Sequence, residues 1–119
     1  MSGESLEAKQ SHEGDQVTLS CRYDANIKSA GKVLAFYWLK SETQGLTDVV
    51  AINSNSLSPG YEPESSDGRY DLTIVSVEFP RDNGYFVCKI KEVGTGLTVQ
   101  SKGYVLTRSG KRVFSLLSC

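Results

Sequence analysis

DNGYFVCKIK, residues 82–91, decides the fold of this chain. Pro80, Asp82 and Gly84 are turn formers, and beyond them apolar and polar side chains alternate one by one. Residues 85–91 read as a strand with Phe86, Cys88 and Ile90 on its inner face and Tyr85, Val87 and Lys89 on its outer face. The same period of two recurs outward from this stretch. Residues 69–77 place Tyr70, Leu72 and Ile74 together. Residues 16–23 do so with Val17, Leu19 and Cys21, after a turn at Gly14 and Asp15. Residues 33–40 put Leu34, Phe36 and Trp38 on one parity and Ala35, Tyr37 and Leu39 on the other, so this strand is apolar on both faces and reads as central.

The remaining segments complete an all-β pattern, and no amphipathic helical stripe precedes the tail. Residues 24–32 read as a loop and 48–53 as a strand. Residues 54–68, rich in serine and carrying Pro59, Gly60, Pro63 and Gly68, read as irregular edge structure. Gly94 and Gly96 frame a hairpin loop before a last strand over 97–107.

The chain has 119 residues, enough for one hydrophobic core. With 39% hydrophobic and 23% charged residues its composition is that of a folded domain, and a net charge of −1 gives no basic excess of the kind nucleic-acid binding requires. Cys21, Cys88 and Cys119 allow either one disulfide with a spare thiol or three free thiols. No run reaches the roughly 18 apolar residues of a membrane helix, and residues 1–10 show no secretory leader. Any membrane attachment would therefore come from parts of a longer parent.

The motifs VTLSC (17–21), FYWLK (36–40), RYDLTI (69–74) and DNGYFVC (82–88), in this order and spacing, resemble the immunoglobulin superfamily over residues 5–107. The resemblance implies a two-sheet Greek-key sandwich in which Cys21 and Cys88 bridge the sheets beneath Trp38, with Leu72 and Phe86 in the core. The length between Trp38 and Arg69 leaves room for an extra strand and favours a variable or intermediate type. The last strand lacks the Phe-Gly-x-Gly of antigen receptors. Among adhesion receptors, the chain is similar to the membrane-distal domains of nephrin-like and junctional adhesion molecules. Phe86 occupies the position of the tyrosine whose hydroxyl usually braces the corner into the penultimate strand, so that bond is absent. Such domains often pair the aspartate at the Asp82 position with an arginine, for which Arg69 is the candidate.

Strict alternation sends Tyr37, Leu39, Tyr85, Val87 and Lys89 outward on one sheet, the face the family uses for dimerisation. With Val105 or Val50 beside Leu39 and Val87, and Lys40 at the rim, this is an apolar patch edged by aromatic and charged side chains. The loops 24–32 and 91–96 lie at one end of the sandwich and add a second contact region or plain solvated connections. Catalysis has no residues to support it: His12 is a lone histidine, expected to be exposed, and no metal-ligand spacing or phosphate loop occurs. Neither a cofactor nor a metal is expected, and no N-glycosylation sequon is present.

The implied role is an extracellular or cell-surface module that binds another protein, homophilically or heterophilically. The alternatives are an intracellular scaffold domain, whose cysteines would be reduced, and a soluble secreted binder. Residues 108–119, RSGKRVFSLLSC, depart from the alternating pattern at Arg108. They read as an alternative exon or truncation, or else as a basic patch of Lys102, Arg108, Lys111 and Arg112 followed by a docking segment at 113–117. Cys119 has no partner in this framework and stands as a spare thiol or an intermolecular bridge.

Overall fold

The computed structural model describes residues 6–24, 26, 31, 33–41 and 48–109. The period of two unfolds into nine strands among them: β1 Leu6–Ser11, β2 Val17–Leu19, β3 Leu34–Ser41, β4 Asp48–Ile52, β5 Asn55–Ser56, β6 Tyr61–Ser66, β7 Arg69–Ile74, β8 Gly84–Glu92 and β9 Thr98–Arg108. They form a six-stranded sheet in the order β1-β9-β8-β3-β4-β5 and a three-stranded sheet in the order β2-β7-β6. β3, the strand apolar on both faces, lies in the interior of the larger sheet between β8 and β4.

Three strands escaped the sequence pattern, one of them the two-residue β5 inside the stretch 54–68. β1, LEAKQS, carries only Leu6 and Ala8 as apolar residues, too few to mark a strand, and its register comes from parallel pairing with β9, Leu6 opposite Gly103 and Ser11 opposite Arg108. β6 lies inside the stretch that reads as irregular. It is an edge strand paired only with β7, which accommodates Pro63 because the missing N–H faces away from any partner. Its first residue, Tyr61, points into the core. The strand expected over 16–23 is formally short, but Tyr70 N–H donates to Cys21 O at 2.8 Å and Tyr23 N–H to Gly68 O at 3.0 Å, so the ladder continues to Tyr23.

Between the sheets, Leu19, Trp38, Leu72, Ile74, Cys88, Ile90 and Leu106 are fully buried, with Phe86 1% exposed. Cys21 and Cys88 form a disulfide, Cα atoms 6.3 Å apart across a sequence separation of 67. Closing so long a loop contributes about 4 kcal/mol on the chain-entropy account. Trp38 lies directly opposite Cys88 in the β3–β8 ladder. Around it, rings run from Tyr23 to Phe36 (5.2 Å), Tyr70 (5.2 Å from Phe36), Trp38 (6.5 Å from Tyr70) and Tyr104 (6.3 Å from Trp38). Asn53, with φ of 53°, makes the β4–β5 turn. It exchanges two hydrogen bonds with the Phe36 backbone and accepts one from the Tyr70 hydroxyl at 2.7 Å, tying that turn to the core.

Asp82 is 1% exposed, and its partner differs from the expected one. Arg69 pairs with Asp71 at 3.5 Å, whereas Arg81, the residue next to Asp82, grips both carboxylate oxygens at 2.8 and 2.6 Å. The tight turn before β8 brings the Arg81 guanidinium back onto Asp82. Tyr61 reaches across from β6 to donate its hydroxyl to the same carboxylate, and its ring packs on Phe86 with centroids 6.0 Å apart. Phe86 thus brings no hydroxyl to the corner, and a tyrosine from the opposite sheet donates one there. Burial opposes ionisation of Asp82, but the hydrogen bonds from Arg81, Tyr61 and the Glu78 N–H outweigh it and hold the carboxyl below the usual range.

A folded-state value below the unfolded one means that Asp82 stabilises the domain above about pH 4 and loses that contribution as pH falls through its depressed value. Asp82→Asn is therefore expected to destabilise clearly at neutral pH, with the gap to wild type narrowing in acid. Urea unfolding at about pH 7 and about pH 3 measures it.

Candidate functional site

The outward parity of the large sheet is built on the β3–β8 ladder. Its facing pairs are Ala35 with Lys91, Tyr37 with Lys89, Leu39 with Val87, and Ser41 with Tyr85. Tyr37, Leu39, Tyr85, Val87 and Lys89 are each half-buried, as side chains lying flat on a sheet surface are. On one side Val87 faces Gly103 and Tyr85 faces Val105 in β9; on the other Tyr37 faces Ile52 and Leu39 faces Val49 in β4. All five sequence-predicted residues therefore lie on one continuous surface.

Three neighbours differ from expectation. Val50 is 3% exposed and belongs to the core, while Val49, 37% exposed, takes the outward place. The β3–β4 register shifts between Trp38 and Leu39: Trp38 faces Ala51 and Leu39 faces Val49, leaving Val50 as the extra residue. Lys40 falls on the other parity and lines a cleft of about 360 Å³ with Asp48, Ser58, Tyr61 and Arg81, away from the patch. His12 is half-buried in the β1–β2 turn, where its backbone N–H donates to Asp15 at 3.0 Å.

Sequence reasoning missed Lys91, whose ammonium lies 5.9 Å from the Tyr37 ring centroid, and the pair above it. Val93 N–H donates to Val33 O at 2.8 Å, extending the ladder by one rung, and the two side chains are 55% and 64% exposed. Continuing the alternation past Lys91 and Ala35 would have found both. Part of the 24–32 loop, and all of residues 110–119 with Lys111, Arg112, the 113–117 segment and Cys119, lie outside the described residues. Lys102 and Arg108 do not join in one patch, because each faces its own glutamate: Glu7 at 3.1 Å and Glu13 at 3.2 Å. Among the described residues, no group of three His, Cys, Asp or Glu side chains is placed to hold a metal.

No protein-family profile matches the sequence, and no curated protein matches it. Solved structures do match. One is the NK cell receptor Nkp44, described as a triggering partner in natural cytotoxicity, with a TM-score of 0.74 and 16% identity over 89% of this chain and 100% of that one. The fold is immunoglobulin-like. At this identity the likeness speaks for the architecture alone, a two-sheet sandwich closed by a buried bridge.

Outward residues carry little of the packing. Leu39→Glu and Lys89→Glu are each expected to move stability by no more than about 0.5 kcal/mol, whereas Leu72→Ala in the core costs about 3 kcal/mol. Denaturant midpoints of the purified variants check this.

Proposed function

We propose that the chain is a non-enzymatic recognition domain, part of a cell-surface or secreted protein, that binds another protein through the outer face of its six-stranded sheet. The observation that carries this reading is the composition of that face. Leu39, Val87, Val49 and Ile52 form an apolar centre with Tyr37 and Tyr85 beside it, and the half-exposed lysines lie on the same surface. Aromatic and aliphatic anchors with sparse charge are what protein interfaces are built from. The resemblance to membrane-distal domains of adhesion receptors agrees with this use of the face and makes cell-cell recognition its natural setting. The disulfide favours an oxidising compartment over the cytosol, and so favours a receptor over an intracellular scaffold.

Fluorescent tetramers of the domain are expected to stain cells bearing its partner, with Leu39→Glu abolishing the signal while the protein stays folded. Staining that Leu39→Glu leaves intact would move the binding surface elsewhere. The compartment is checked separately by alkylating freshly isolated native protein and weighing it. Protection of Cys21 and Cys88 is expected, and free thiols at both positions would return the scaffold reading.

A further inference from the structure

The outward positions of the large sheet carry a charge bias that the chain's net charge of −1 conceals. Among the described residues, the strand positions on that face bear Lys89 and Lys91 and no carboxylate at all. β1 contributes Leu6, Ala8 and Gln10, β4 contributes Val49 and Ile52, and β9 contributes Ser101, Gly103, Val105 and Thr107. Acidic side chains fall off this parity: Asp48 opposite Lys40 and Glu92 opposite Leu34 on the same sheet, Glu62 and Glu64 on β6 of the other sheet, Glu78 beside Arg81, and Glu7 against Lys102. The two lysines sit at the middle of the ladder, one opposite Tyr37 and the other over its ring. An apolar pair brackets them at each end, Val33 with Val93 above and Leu39 with Val87 below.

A symmetric homodimer uses the same patch on both copies. Packed through this ladder, it would press four lysines together at the centre of the contact with no carboxylate among the described outward strand positions of either copy, and like charges juxtaposed at an interface work against association. Resting on the reading of this face given above, we propose that its partner is a different protein with an acidic, apolar-flanked surface, and that Lys89 and Lys91 reject a second copy of the chain while selecting that partner. Two lysines among four apolar side chains make a poor site for a bilayer or a polyanionic glycan. Electrostatic capture by anionic lipid draws on clusters of roughly four to eight basic side chains.

The probe that tests this is the charge-reversed copy, Lys89→Glu/Lys91→Glu, which presents carboxylates on an otherwise unchanged surface. In sedimentation experiments the wild type alone and the reversed copy alone are each expected to stay monomeric. An equimolar mixture is expected to form a heterodimer at least about tenfold tighter than either self-association. That heterodimer should weaken as salt shortens the screening length from about 10 Å to about 3 Å. A mixture that remains monomeric, or a wild type that self-associates as tightly as the mixture, overturns the proposal. So does wild-type binding to phosphatidylserine vesicles or heparin that is as tight as the mixture. Leu39→Glu in the reversed copy separates the two levels. A salt-sensitive heterodimer that survives it leaves the charge pairing in place but removes the apolar face from the contact, and the reading of the face itself then fails.

Discussion

The bridge between Cys21 and Cys88 is the constraint on which the rest of the molecule depends. It joins the continuation of β2 in the small sheet to the middle of β8 in the large one, and Trp38 faces Cys88 from the next strand. Once those strands are held at that separation, the inner parity of every neighbour is committed to the core and the outer parity to solvent. Leu19, Leu72, Ile74, Phe86 and Leu106 fill the space because they share the parity of the bridge. The outer surface of the large sheet is the complementary set, left over when the core is satisfied.

The corner before β8 shows how the fold tolerates a departure from the usual pattern. Phe86 offers no hydroxyl, yet the buried Asp82 carboxylate still needs donors, since an unpaired buried charge is among the most destabilising features a small domain can carry. Arg81 supplies two, the Glu78 N–H another, and Tyr61 the phenol. The Arg81 guanidinium also lies over the Tyr61 ring, 5.0 Å from its centroid. The edge strand β6 is thereby fastened to the corner of the opposite sheet by polar contacts, where a constant run of apolar side chains is lacking.

Much of this was legible in the residues. Alternation in 85–91, 69–77 and 33–40 placed Phe86, Cys88, Trp38 and Leu72 inside and Tyr37, Leu39, Tyr85, Val87 and Lys89 outside, because a strand presents side chains to opposite faces whatever it pairs with. β1 was not legible, since its polar sequence becomes a strand through hydrogen bonds to β9. The same holds for β6, whose proline and serines read as a loop until β7 lies alongside.

What the sequence by itself determined was parity: which side chains share a face within each strand, a property of the local backbone. Only the tertiary structure decided register and neighbourhood. A one-residue bulge in the β3–β4 pairing exchanged Val50 for Val49 on the outer face, chain reversal at the corner gave Asp82 to Arg81 in place of Arg69, and the ladder's extra rung brought Val33 to Val93. The bulge and the extra rung depend on where residues distant in the chain come to rest, and a shift of one position in pairing reverses them without altering the local pattern.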